Sequence, residues 1–341
     1  MLKQARQAAV VLLAAGFLAA GLPASGLPAT SALAAAAAGA RAIGARPAAA
    51  GHVTAGPAGH VTAGPAALAP ASPPANIYAR GAELMNAVTG QRLWSRHRNR
   101  RRPMGSITKV MTALLVIRAG HLGRLIKITK AIPAYIRRHP DASNAGLRAG
   151  DVLTARQLLE GMLLPSGCDA ALALAKAYGP GRKAFVREMN ATAQQLGMLR
   201  THFSNFDGLP LPTEHSTYST PRNLITLGRA AMKLAPFRRI VDLQSHTIAA
   251  TSAHHGYSWQ NTNLLLGAYP GAIGIKTGST NAAGYCLLFE ATSGATTLIG
   301  VVLHSTDTNP MARFTAATRL LNWGFGASVA PPRRPAGPVR D

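Results

Sequence analysis

Arg102-Pro-Met-Gly-Ser-Ile-Thr-Lys-Val-Met-Thr-Ala-Leu-Leu-Val-Ile-Arg-Ala-Gly120 is the stretch on which the fold turns. Ser106 opens it as a helix running from Ile107 to Ala119, and Gly120 closes it. The helix is apolar nearly all round, so it leaves no face for water and belongs in the middle of a domain. Ser106 and Lys109 stand three apart and share one helix face. A serine hydroxyl attacks well only after a base takes its proton. A lysine amine can do so only when neutral, which burial and a second nearby cation favour. The helix N-terminus adds backbone N–H groups for a developing oxyanion. Alone, Ser-x-x-Lys is a weak signal, because an N-capping serine and a surface lysine give the same string. Here a surface lysine would face no obvious solvent.

Working outward, residues 82–95 read as two strands joined by a turn at Thr89-Gly90. Helical patterns follow at Thr154–Met162, Asp169–Ala177, Lys183–Leu196 and Pro221–Leu234. Strand patterns return at Ala272–Gly278, Gly284–Ala291 and Thr296–His304, before a last helix from Pro310 to Trp323. Strands at both ends with helices between predict an α+β fold. Its mainly antiparallel sheet is built from the two ends of the body, flanked by helices, with an all-helical subdomain inserted. The site belongs in the cleft where sheet and helical region meet.

Two further motifs fit that cleft. Ser166-Gly-Cys168 follows the apolar helix end Leu163-Leu-Pro165 and precedes another helix, so its loop can aim a hydroxyl inward. By itself, a plain turn with an N-cap is the simpler reading. Lys276-Thr-Gly278 lies on a predicted strand kept free of bulk by Gly274 and Gly278, so an extended substrate can lie alongside and bond to its backbone. Lys276 supplies charge, Thr277 a hydroxyl for a carboxylate, and Gly278 room.

The chain has 341 residues and a formal net charge of +24, and all twelve acids fall at or after Glu83. Residues 1–38 begin with Lys3 and Arg6, continue as an apolar run from Ala8 to Leu22, and end in Ala-x-Ala choices. That is the pattern of a secretory signal peptide. Residues 39–76 are an Ala/Gly/Pro-rich spacer in which Gly51-His-Val-Thr-Ala-Gly-Pro57 returns as Gly59-His-Val-Thr-Ala-Gly-Pro65. The segment lacks apolar bulk for a core. Residues 77–326 form the body, and 327–341 a Pro/Arg-rich tail. So basic a protein attracts polyanions. Export turns the expectation from nucleic acid to an anionic cell wall, with the protein wall-associated or secreted. The arginines from Arg96 to Arg102 read as a solvated loop, or as a steering patch beside Ser106. Cys168 and Cys286 can pair in an exported protein; two free thiols are the favoured reading.

Taken in order, Arg102-Pro-Met-Gly-Ser-Ile-Thr-Lys109, Leu164-Pro-Ser-Gly-Cys-Asp-Ala-Ala171, Phe206-Asp-Gly-Leu209, Ser219-Thr-Pro-Arg-Asn-Leu224, Asn261-Thr-Asn263 and Gly274-Ile-Lys-Thr-Gly-Ser-Thr280 make the chain resemble the D-alanyl-D-alanine carboxypeptidase family of penicillin-binding serine peptidases. The resemblance implies a DD-peptidase/serine β-lactamase-like fold, no cofactor and no metal. It implies that Ser106 attacks the penultimate D-alanine carbonyl of a peptidoglycan stem peptide ending in D-Ala-D-Ala, expels the terminal D-alanine and becomes an acyl-enzyme. Lys109 then takes the serine proton, and Ser166 relays one to the leaving amine. Lys276 and Thr277 hold the terminal carboxylate beside Gly278, while the N–H groups of Ser106 and Ser279 form the oxyanion hole. β-Lactams inhibit by acylating Ser106. Cys168 departs from the family pattern, which commonly has asparagine there. A thiol is a weaker donor and acceptor than an amide, and this opens the alternative of a transpeptidase with poor hydrolysis. A class A β-lactamase would need a Glu-x-x-Leu-Asn loop, and Glu188-Met-Asn190 has the wrong spacing. A non-catalytic penicillin-binding sensor or wall-binding module is a further alternative, against which the intact lysine pair argues.

Overall fold

The computed structural model describes residues 72–337. The expected signal peptide, and the spacer up to residue 71, lie outside the described residues.

The body opens with β1 (Gly81–Asn86) and β2 (Arg92–Arg96), the expected hairpin. A short 3-10 turn, Gly105–Thr108, leads into α1 (Lys109–Ala119), capped at Gly120. Ser106 therefore sits in the tight turn before the α-helix and not at its first position. Next come β3 (Leu125–Lys127), α2 (Ala131–Arg138), β4 (Val152–Thr154), α3 (Ala155–Leu163), α4 (Cys168–Tyr178) and α5 (Arg182–Gln195). Then follow α6 (Pro221–Met232), α7 (Ala235–Val241) and a hairpin of β5 (Ser245–Ile248) with β6 (Tyr257–Gln260). The chain returns to the main sheet with β7 (Ala272–Thr280), β8 (Gly284–Ser293) and β9 (Thr296–Leu303), and α8 (Ala312–Phe325) completes the body.

The five-stranded sheet has the order β2-β1-β9-β8-β7, so the first hairpin pairs with the last strand. Each neighbouring pair is antiparallel. Successive side chains on a strand point to opposite faces, and β8 shows why that matters. Leu287 and Phe289 enter a core with Phe314 and Leu320 of α8, while Leu288 joins the larger core of α1 and the helical region. Helix α1 behaves as its composition demands: Lys109 through Ile117 are all buried. α3 begins with a capping box, Thr154 accepting from Gln157 N while Gln157 Oε1 accepts from Thr154 N, a device that satisfies otherwise unpaired N–H groups. Cys168 and Cys286 are both buried and are not joined in a disulfide. Among the described residues, no helix is long and apolar enough to cross a membrane.

Glu290, on β8, is 5% exposed. Burial pushes its carboxyl up to about 7, against a smaller downward pull from Arg238 and Arg229. An acid raised in this way stabilises the fold below its unfolded value and loses that contribution as pH rises through the folded one. Glu290→Gln should therefore gain thermal stability over the parent as pH climbs from about 4.5 to about 7, and keep the gain above it. A difference in melting temperature that does not change with pH would contradict this.

Candidate active site

Three glycines bring three chain segments together around Ser106. Gly105 has φ +53, and a Cβ there would lie 2.7 Å from Ser279 N. A Cβ on Gly278 would meet Met104 O at 2.4 Å and Ser106 N at 3.0 Å. A Cβ on Gly208 would fall within 2.1 Å of Gly105 O. Real side chains do not tolerate such approaches, so glycine is what lets backbone lie on backbone here. Strand β7 is thus seated directly against the serine turn, with Ser279 lining the same cleft as Ser106. The cleft has a volume of about 960 Å³ and is also bordered by Cys168, Trp259 and Thr262.

Lys109 has no exposed surface. Its Nζ lies 2.8 Å from Ser106 Oγ, 2.8 Å from Asp207 O and 3.4 Å from Cys168 Sγ. The predicted serine–lysine pair is therefore made, and the thiol of the second motif touches it. Burial pushes the Cys168 thiol up to about 12, the nearby Lys109 pulling it down and Asp207 adding to the rise. Cys168 remains a neutral thiol, a weak partner beside the amine.

Ser166 is fully buried, in the loop between α3 and α4 with φ +67. That loop is pinned from three sides: Gly167 N donates to Gly161 O, Cys168 N to Ser143 O, and Thr262 N to Leu164 O. The Ser166 hydroxyl has no hydrogen-bond partner among the described residues. It is a predicted site residue that no side-chain hydrogen bond among the described residues ties into the cluster.

Lys276 and Thr277 are buried on β7. Lys276 Nζ donates to Thr277 Oγ1 at 3.2 Å, and Thr277 Oγ1 lies 2.6 Å from Thr262 Oγ1. Among the described residues, no group of three or more His, Cys, Asp or Glu side chains is placed to hold a metal ion.

Several residues that shape the site were assigned no task from the sequence. Asp169 accepts from the N–H groups of Ala145, Leu147 and Ala170. Burial raises its pKa while those N–H groups pull the other way. It thereby holds the cleft wall at residues 143–147, and Trp259 Nε1 donates to Ala145 O from the opposite side. Thr262 and Asp207 lie in two motifs that belonged to the resemblance without any role attached. Their function depends on contacts 15 and 98 residues away in the chain.

The glycine contacts make a direct prediction. Gly278→Ala should destabilise the protein by about 2 kcal/mol, the order of cost for forcing extra volume into a packed site. Gly123→Ala, with nothing within 4 Å of the new methyl, should do far less. Denaturant unfolding of the two variants measures the difference, and equal midpoints would contradict it.

Comparison with known proteins adds the family. The family model described as D-alanyl-D-alanine carboxypeptidase matches residues 67–307. A D-alanyl-D-alanine carboxypeptidase of Streptomyces sp. strain K15 is 44% identical over 262 residues, covering 73% of this chain and 88% of that protein. The D-alanyl-D-alanine carboxypeptidase DacF of Bacillus subtilis is 30% identical, over 72% of this chain and 62% of its own length. In structure, the chain superposes on the Streptomyces K15 DD-transpeptidase with a TM-score of 0.69 at 42% identity, covering 74% of this chain and 98% of the other. With its serine–lysine pair buried at the foot of a cleft, the chain belongs to the D-alanyl-D-alanine carboxypeptidase family of serine peptidases, hydrolases that act on peptidoglycan peptides and bind β-lactams.

Proposed function

We propose that Ser106 is the nucleophile of a D-Ala-D-Ala carboxypeptidase trimming peptidoglycan stem peptides, with Lys109 as its base. The observation that carries this is the 2.8 Å separation of Lys109 Nζ and Ser106 Oγ inside a buried pocket. A serine and its base at hydrogen-bond distance are what covalent catalysis requires. In the first step the Ser106 proton passes to Lys109 as the oxygen bonds to the penultimate D-alanine carbonyl carbon. The backbone N–H groups of Ser106 and Ser279 receive the negative charge on the carbonyl oxygen. As the tetrahedral adduct collapses, the carbon–nitrogen bond breaks and the leaving amine takes a proton through Ser166. The unpartnered Ser166 hydroxyl supports this role, since a relay needs a free donor and acceptor when substrate enters. Lys276 and Thr277, with Gly278 leaving room, hold the terminal carboxylate. Water then attacks the ester. A β-lactam stops at the ester on Ser106.

A second reading rests on Cys168. Its sulfur meets Lys109 at 3.4 Å, where an amide would offer both a donor and a stronger acceptor. The Streptomyces K15 structure bears the name transpeptidase, and a slow water step would leave the acyl group for an amine instead. Residues 1–38 support export through a signal peptide, whether cleaved or retained. The net charge of +24 supports attachment to an anionic cell wall.

Incubation with a D-Ala-D-Ala peptide, with and without glycine, separates the two readings. Release of D-alanine without glycine is the expected result and supports hydrolysis. Exchange only in the presence of glycine favours transpeptidation, and neither reaction would contradict both. Cys168→Asn should raise the hydrolytic turnover; an unchanged rate would show that the thiol does not limit the water step.

A further inference from the structure

Lys109 Nζ has three partners of two kinds. Asp207 O can only accept a hydrogen bond, and the neutral Cys168 sulfur is there as an acceptor. Of the two partners that carry a proton on the atom they present, the Ser106 hydroxyl is the stronger donor and the nearer, at 2.8 Å against 3.4 Å for the thiol. A neutral amine has two N–H donors and one lone pair. When the carbonyl and the sulfur take the two donors, the lone pair is left pointing at the Ser106 hydroxyl. The direction of the Asp207 carbonyl therefore decides where the base aims.

That carbonyl belongs to a residue whose own side chain is clamped. Asp207 is fully buried. Its Oδ2 accepts from Tyr135 OH at 2.7 Å, and its Oδ1 accepts from Leu209 N at 3.1 Å. Tyr135 comes from α2, 72 residues away, and its ring packs against Phe206. Burial and the Asp207 charge hold the phenol far above its ordinary range, so it stays a donor. The flanks of the turn have their own ties: Thr112 Oγ1 donates to Phe206 O, and Gly208 N donates to Asn205 Oδ1. Leu209 N reaches Asp207 from within the turn itself. Among the described residues, Tyr135 is the side chain from another helix that bonds the Asp207 carboxylate. Burying a carboxylate is costly, and an ordinary turn has no need of it.

We propose that Tyr135 and Asp207 are a positioning pair, which fixes the Asp207 carbonyl and so orients Lys109 towards Ser106. The proposal rests on the reading of Ser106 as nucleophile and Lys109 as base, and it adds two residues whose side chains act on the Lys109 amine only through the Asp207 carbonyl.

The test is the second-order rate of acylation by a fluorescent penicillin, together with kcat and KM for D-alanine release, in Tyr135→Phe, Asp207→Ala and Asp207→Asn. Tyr135→Phe should lower the acylation rate roughly tenfold, the scale of one lost buried hydrogen bond, with kcat falling and KM nearly constant. Asp207→Ala should lose at least as much, and adding Tyr135→Phe to it should cost nothing more. Asp207→Asn should recover most of the rate, because its amide can accept from Leu209 N and donate to the Tyr135 oxygen. A Tyr135→Phe protein with an unchanged acylation rate would overturn the proposal, as would an Asp207→Asn protein as slow as Asp207→Ala. If Asp207→Ala fails to fold, Tyr135→Phe and Asp207→Asn still decide the matter. Ser106→Ala serves as the control: persistent labelling there would instead refute the nucleophile reading on which the pair depends.

Discussion

A lysine side chain with no exposed surface is the constraint from which the rest of this structure follows. An isolated ammonium in an apolar interior costs several kcal/mol, so a buried lysine must either find acceptors or give up its proton. Here it finds a serine hydroxyl, a peptide carbonyl and a thiol, each contributed by a different segment. Bringing those segments to one point requires the central apolar helix α1, the α3–α4 loop and the turn at Asp207 to converge. The sheet is built to receive that point, and β7 closes it from the side. The same contacts that make the burial tolerable hold an amine 2.8 Å from a serine hydroxyl.

Convergence at this density depends on glycine as much as on the reactive groups. Gly105, Gly208 and Gly278 let backbone meet backbone where a methyl would collide. As a result, Ser106 and Ser279 line one cleft, and the buried Lys109 amine meets the Ser106 hydroxyl. The wall across the cleft is held by Asp169 and Trp259, which both bond to Ala145. Cys168 sits at the junction of these parts and contributes the least polar contact among them.

Much of this was legible in the sequence, and the reasons are local. β7, β8 and β9 were read to within two residues because their apolar runs are broken by glycine and polar turns. α1 was legible as buried because it has no polar face, and Ser106, Lys109 and Lys276 stood out for their chemistry. α2 is hard to see because Pro133, tolerated in its first turn, reads as a helix breaker, and only Ile132 and Tyr135 are buried. The β5–β6 hairpin is hard to see because its strands are only four residues long, so the alternation in Tyr257–Gln260 is too short to set it apart. Asp207 could not be found from any spacing. Its importance lies in a carbonyl, which every residue has, and in a phenol 72 residues away.

On the proposed reading, this buried lysine makes Ser106, and not the adjacent thiol, the group that is acylated. Peptide mapping by mass spectrometry after incubation with benzylpenicillin tests it most directly. The account predicts one adduct of the intact drug, on the peptide that carries Ser106. An adduct on the peptide carrying Cys168, or none on Ser106, would contradict it.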